Sequence, residues 1–298
     1  MSELMDTTAF TSGPPVSVPV EYNTRDLILY SLGIGSKDSR FTFELDDNFA
    51  AFPTYPIVLT FKGNSFDVLS FPSPAMMAVG NAPLKGVRVG LDAEKTIEKV
   101  AEIPKDGAKL TLKGRVVGVH KKGSGALVEK EFELVDEAGK VYYRIVDGSF
   151  MVGAKGFADS GKTYSETIKT PPGPATITVE EVTNPDICRL YRLSGDYNPL
   201  HVDPNFATMA GFPSPIIHGQ CNMGHATRIV LDACAGGDQK RFKRVQMRFA
   251  APMLPGQTLV TEMWKVSPTE VIFQSTVKET GKVCLSNARM TLHPEAKL

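Results

Sequence analysis

The stretch LSGDYNPLHVDP, residues 193–204, brings a carboxylate (Asp196), an amide (Asn198) and an imidazole (His201) close together in a chain with only five histidines. Such a set can hold and polarise one water, with carboxylate and imidazole sharing its protons and the amide fixing its orientation. Positioned acid–base groups are worth about 10²–10⁴ in rate, and histidine titrates near working pH. A structural reading fits the same residues, since Asp196 can close an Asx turn and Asn198-Pro199 can start another. PIIHGQ, residues 215–220, adds a second feature, because Gly219 opens a segment of helical character. The first N–H groups of a helix lack internal partners and sit at the positive end of its dipole, so the Gly219 N–H can receive a developing oxyanion. One such donor is worth roughly 3 kcal/mol in the transition state. The competing reading is that this glycine only lets helix and sheet pack closely.

Other constellations carry less. His218, Cys221 and His225 recur on one helical side and could supply three zinc ligands, but the fourth is missing. A small buried thiol between hydrogen-bonded histidines explains the same spacing. Apolar burial would also raise the Cys221 pKa, which argues against a nucleophile. GIG at 33–35 lacks the third glycine and the following helix of a dinucleotide fingerprint. No metal and no nicotinamide site is expected.

The elements that must hold these residues are mostly strands. Residues 243–249, 257–266, 271–279 and 282–292 read as successive strands of an antiparallel sheet, with Pro255-Gly256 and Thr280-Gly281 at turns. Residues 218–234 contain no proline and are small or apolar on nearly every side, the pattern of a helix enclosed by a curved sheet. The first half repeats this plan: YSLGIG (30–35) matches YRLSGD (191–196), AFP (51–53) matches GFP (211–213), and DEAGKV (136–141) matches KETGKV (278–283). Two copies of one fold follow. Opposite Asp196, Asn198 and His201 the first copy has Gly35, Lys37 and Arg40, so only the second copy is equipped for acid–base chemistry. The first copy is also longer, and much of its surplus is expected in residues 56–83, where prolines and glycines interrupt any long helix. Absence of that helix would leave an apolar space. Residues 153–174, rich in Gly, Ser, Thr and Pro, read as a linker.

Composition narrows the function classes. The chain has 298 residues, with 33 basic and 33 acidic, so no bulk field draws it to nucleic acid or to an anionic membrane. No apolar run approaches the roughly 18 residues that span a bilayer. Residues 1–19 lack the pattern of a secretory signal and are expected to be disordered or irregular. The four cysteines form no CxxC pair, which suits free thiols. The closing Ala296-Lys297-Leu298 resembles the peroxisomal address Ser-Lys-Leu.

Taken together, YRLSGDYNPLHVDPNFA (191–207), GFPSPIIHG (211–219) and RFAAPMLPGQTL (248–259) resemble the MaoC-like (R)-specific enoyl-CoA hydratases, in particular the hydratase 2 part of the peroxisomal multifunctional beta-oxidation enzyme. The resemblance runs from about Val20 onward and is looser in the first half, where KKGSGALV (121–128) carries it. It implies an α+β double hot-dog fold: two tandem curved antiparallel sheets, each around a central helix that is degenerate in the first copy. Residues 20–152 would form a non-catalytic copy that binds the acyl chain, and 175–295 the catalytic copy. The implied reaction is hydration of trans-2-enoyl-CoA to (3R)-hydroxyacyl-CoA, a hydro-lyase step in fatty-acid beta-oxidation, with no cofactor beyond the CoA thioester. Asp196 and His201 would activate the water, Asn198 would place it, and the Gly219 N–H would polarise the thioester carbonyl. Substrate contacts map onto Tyr197, Pro199, Leu200, Phe249, Gly86 and Lys122; Lys85 departs from the histidine of the family pattern. The implied partners are acyl-CoA, the peroxisomal import receptor through residues 296–298, and a second copy in a homodimer. A hot-dog acyl-CoA thioesterase and a catalytically silent acyl-CoA-binding protein are the rival readings.

Overall fold

The computed structural model of the protein describes residues 4–295, so the tripeptide 296–298, expected to be a peroxisomal address, lies outside the described residues. In the first copy, β1 (Val16–Tyr22) leads into helix α1 (Thr24–Gly33), capped by a reciprocal Asn23–Asp26 box. A short helix α2 (Leu59–Lys62) follows, then β2 (Val89–Lys99), β3 (Ala108–Lys122), β4 (Gly125–Val135) and β5 (Val141–Val152). The two-residue β6 (Ser160–Gly161) lies in the connecting segment. The second copy runs β7 (Ile177–Val182), α3 (Ile187–Tyr191), α4 (Gly219–Ala235), β8 (Phe242–Phe249), β9 (Thr258–Ser267), β10 (Glu270–Val277) and β11 (Lys282–Leu292).

The strands join into one 11-stranded antiparallel sheet ordered β1-β3-β4-β5-β2-β8-β11-β10-β9-β7, with β6 beside β3. Counted inward from each edge the two halves have the same strand order, which is the duplication expected from the matched segments. The DEAGKV and KETGKV matches fall on equivalent hairpin turns, β4–β5 and β10–β11. The α+β double hot-dog is therefore present, its two sheets merged where β2 pairs with β8. At that join Glu94 stands opposite Arg248 and Ile97 opposite Val245, and Arg248 donates to Glu94 Oε1 at 2.8 Å through Nε.

Helix α4 is enclosed as its sequence requires: Cys221, Met223, Ala226, Ile229, Val230 and Leu231 are all buried, and so are His225 and Thr227. It ends at Gly236, whose φ of 61° permits the left-handed cap.

Three expectations are corrected. The surplus of the first copy lies largely in longer strands, with 15 residues in β3 against 10 in β9 and 11 in β4 against 8 in β10, and less in residues 56–83. Where the helix is missing the core is occupied by other side chains: Tyr55, Ile57, Val58 and Leu59 are buried, and the Tyr55 ring packs edge-on against Tyr22 and Tyr30 at 5.4 and 5.6 Å. The N-terminus is ordered before residue 19: β1 starts at Val16, Met5 N–H donates to the Gly156 carbonyl, and buried Thr7 donates to the Ala158 carbonyl at 2.7 Å. The connecting segment beyond is held as a strap. Glu129 Oε1 accepts from the N–H groups of Tyr164 and Ser165, and Asn287 Oδ1 of the second copy accepts from Ile168 N–H.

Candidate active site

The loop that carries Asp196, Asn198 and His201 begins where α3 and a following 3-10 turn (Arg192–Ser194) run out at Gly195. Gly195 has φ of 134°, and a Cβ there would stand 2.7 Å from the Lys62 Cβ of the first copy, so only glycine lets the loop cross at this point. Beyond it Pro199 starts the 3-10 turn Pro199–His201. Asp196 Oδ1 accepts from Asn198 N–H at 3.2 Å, and Asn198 Oδ1 accepts from Leu200 N–H at 3.0 Å. The turn reading and the chemical reading thus coexist: one oxygen of each side chain shapes the loop, leaving the second carboxylate oxygen and the Asn198 amide nitrogen outside these turn bonds.

Asp196 and His201 are each 7% exposed. His201 Nδ1 lies 2.8 Å from the Ile216 carbonyl, which can only accept, so the proton of the neutral ring sits on Nδ1 and Nε2 carries a lone pair. Burial pushes His201 down to about 4, the adjacent His218 acting the same way and the Asp196 carboxylate opposing. Burial also raises the Asp196 carboxyl, with His201 opposing. Near neutral pH the site therefore presents an imidazole lone pair beside the Asp196 carboxyl.

His218 is a further member of this group. Its ring stacks on that of His201 with centroids 3.7 Å apart and planes 27° from parallel, and its Nε2–H donates to the Asp196 carbonyl at 3.2 Å. The nearest ligand atoms of Asp196, His201 and His218 lie within 4.8 Å of one another. Tetrahedral zinc at 2.0–2.1 Å from its nitrogens would draw such donors to roughly 3.4 Å. His201 Nδ1 and His218 Nε2 are each engaged with a backbone carbonyl, so one nitrogen of each ring and the Asp196 carboxyl make up this set. The alternative trio of His218, Cys221 and His225 is dispersed: the Cys221 thiol donates to Gly33 O, and His225 Nε2 pairs with Glu181 Oε1 at 2.8 Å. Burial raises the Cys221 thiol well above its ordinary value.

Gly219 follows His218 at the start of α4. The N-cap His218 makes no side-chain cap bond, so it leaves the first-turn N–H groups of α4 free of that occupant. The Phe249 ring would lie 3.3 Å from a Cβ on Gly219, covering the half-buried backbone at this point. Tyr197, Pro199 and Leu200 are half-buried along the loop, with the Arg192 guanidinium 4.9 Å from the Tyr197 ring centroid.

Gly86 and Lys122 sit elsewhere, at one end of the first copy. Gly86, with φ of 78°, is pressed against the Gly153 carbonyl and the Lys155 side chain, and Gly153 N–H donates to Ser124 O in the β3–β4 turn beside Lys122. Lys85, Arg88, Lys121, Lys122 and Lys155 are all exposed there, forming a basic edge. From that edge β2 runs inward to Asp92, three residues past Val89 or about 10 Å. Asp92 accepts from the side chain of Gln220, the residue after Gly219, at 3.4 Å. Asp92 also pairs with buried Lys95 at 2.8 Å; burial raises its carboxyl, and the Asp147 charge adds to that while Lys95 opposes. Sequence reasoning missed Asp92, Lys95 and Gln220, which belong to no motif and meet only through the fold.

Comparison with known proteins establishes the family. Residues 163–288 match the model of the MaoC like domain, and residues 20–153 match that of the MFE-2 hydratase 2 N-terminal domain. The chain belongs to the MaoC-like dehydratase family, in its hydratase 2 branch. It is 32% identical to a probable enoyl-CoA hydratase 2 of Dictyostelium discoideum, covering 94% of each chain. It is 38% identical to the peroxisomal multifunctional enzyme type 2 of Drosophila melanogaster, over 96% of this chain but only 48% of that one. The chain thus spans about half the length of that relative. A crystal structure of a MaoC-like dehydratase from Phytophthora capsici superposes with a TM-score of 0.91 at 36% identity, covering 96% of this chain and 97% of the other.

Proposed function

We propose that this chain is a hydro-lyase that adds water to trans-2-enoyl-CoA to give (3R)-hydroxyacyl-CoA in peroxisomal beta-oxidation. The observation that carries the reading is the buried Asp196–His201 pair, with an imidazole lone pair and a carboxylate oxygen available, beside the start of α4 at Gly219. A water held there donates one hydrogen to Asp196 and the other to the lone pair of His201 Nε2. Its oxygen bonds to C3 as the pair removes one proton. The displaced π electrons move through C2 onto the thioester oxygen, which accepts from the Gly219 N–H. C2 then takes a proton back from the pair, so that one water has been added and the side chains are unchanged. Asn198, through its amide nitrogen, orients the water.

The basic edge around Gly86, Lys122 and Lys155 supplies charge for the CoA phosphates, and β2 leads from it toward Gln220 and Gly219. For the acyl tail, exposed Phe66, Val68, Phe71 and Met77 follow directly on Lys62, which packs against Gly195. At the other terminus Glu295, whose side chain is 80% exposed, pairs with Arg241. The reading includes the import receptor as partner, through the likeness of Ala296-Lys297-Leu298 to the peroxisomal address. The reading includes a homodimer, as the family resemblance implies. Incubation with crotonyl-CoA or decenoyl-CoA tests the reaction: the enoyl-thioester absorbance should bleach without release of titratable thiol, and the product should be the 3R isomer. Thiol release would identify a thioesterase, and saturable binding without turnover a silent binding protein.

A further inference from the structure

His218 occupies an N-cap position where Ser, Thr, Asp or Asn would ordinarily use its oxygen to satisfy the N–H groups of the first helical turn. It does the reverse. Its side chain turns away from α4 and donates to the backbone carbonyl of Asp196, 22 residues earlier. The ring is clamped between His201, at 3.7 Å, and Tyr191, at 5.0 Å, and Tyr191 is itself fully buried against Tyr30. His218 is 1% exposed and its Nδ1 is buried with no partner among the described residues, so it has no surface to offer a substrate. Burial pushes it down to about 3, which keeps the stacked pair neutral and free of mutual repulsion.

We propose that His218 is a positioning residue for the hydration. Its Nε2–H fixes the Asp196 carbonyl and its ring face fixes the His201 imidazole, which holds the water-activating pair at one place relative to the neighbouring Gly219 N–H. A residue that is both the N-cap of the oxyanion helix and the prop of the water site makes the two halves of the reaction one rigid unit. This role rests on the hydratase reading, and the test separates the two. H218F keeps a ring but loses the donor, whereas H218Q keeps an amide N–H that reaches the Asp196 carbonyl but loses the ring.

Turnover of decenoyl-CoA and thermal melting are measured for both variants and the parent. Displacing a reacting group by an ångström costs on the order of 10²-fold, so H218F should lose about thirtyfold or more in kcat with KM within about threefold, and H218Q should recover to within about tenfold of the parent. A folded H218F with kcat within about threefold of the parent overturns the proposal, as does an H218Q that falls as far as H218F, or losses that merely track the unfolded fraction. A substrate-free readout covers the case in which the parent hydrates nothing, which would end the functional reading alone. Imidazole NMR should show His201 titrating near pH 4 in the parent and higher in H218Q, where the ring no longer covers it and Asp196 still faces it. An unchanged His201 titration overturns the proposal.

Discussion

Replacing Asp196 with Asn separates the chemistry of the site from its architecture. The substitution is isosteric and keeps an oxygen to accept from Asn198 N–H, so the turn survives while the proton acceptor is lost. A positioned acid–base group contributes about 10²–10⁴ in rate, and kcat should fall by that factor, or roughly 3–5 kcal/mol of barrier. His201→Ala should cost a similar amount. Because both side chains act on one water, the double variant should be little slower than either single one. Stability should move the other way. The Asp196 carboxyl is raised by burial, so its ionised form costs folding free energy at neutral pH, and that cost disappears as pH falls through the folded value. D196N should therefore melt higher than the parent at pH 7 and lose this advantage at acidic pH. The assays are bleaching of decenoyl-CoA absorbance and thermal melts across pH. D196N activity within tenfold of the parent would remove the carboxylate from the mechanism, and multiplicative losses in the double variant would refute the shared water. A melting point at pH 7 no higher than the parent's would refute the burial argument.

Gly195→Ala forces a side chain into φ of 134° and within 2.7 Å of Lys62 Cβ. Strain of this kind costs about 1–3 kcal/mol, so the variant should melt several degrees lower and turn over more slowly; parent-like melting would show that the loop can shift freely. Lys122→Glu combined with Lys155→Glu should raise KM for CoA esters with little change in kcat, and the effect should fade at high salt. An unchanged KM at low salt would remove the basic edge from the binding site. A fluorescent fusion ending in the last dozen residues should collect in peroxisomes, and one residue added after Leu298 should abolish this; diffuse signal from the unextended fusion refutes the address.

Much of the second copy is legible locally. The strand read at 282–292 coincides with β11, and the helix read at 218–234 differs from α4 by one residue at each end, because strand alternation and an all-round small or apolar helix leave strong patterns. Asp196, Asn198 and His201 are near in sequence and sit on one turn, so their grouping is visible without the fold. What escaped is non-local. The β2–β8 join depends on the register of strands some 150 residues apart, to which neither pattern points. His218 read as a zinc candidate because spacing shows which helical face a residue occupies, not that its ring turns back to Asp196. The 56–83 segment was read as leaving a space because its prolines and glycines forbid a long helix, yet one buried turn with a bulky tyrosine fills the volume.

The same contacts give the first copy a structural part beside the copy that carries the polar trio. Gly35, the counterpart of Asp196, has φ of 74° and lies against α4, where an added Cβ would stand 3.2 Å from the His225 ring and 3.4 Å from the Arg228 guanidinium. Arg40, the counterpart of His201, pairs with Asp38 and donates to the Gly236 carbonyl at 3.1 Å, placing a cation at the C-terminal end of α4. Arg228 in turn donates to Ile34 O. The loop that carries Asp196, Asn198 and His201 in the second copy thus packs at the start of α4, while its counterpart in the first braces the middle and end of the same helix. An acid–base cluster in that counterpart would displace the glycine and arginine contacts that hold α4, and α4 carries the Gly219 N–H. Loss of the polar trio from the first copy is, on this geometry, part of what positions the second.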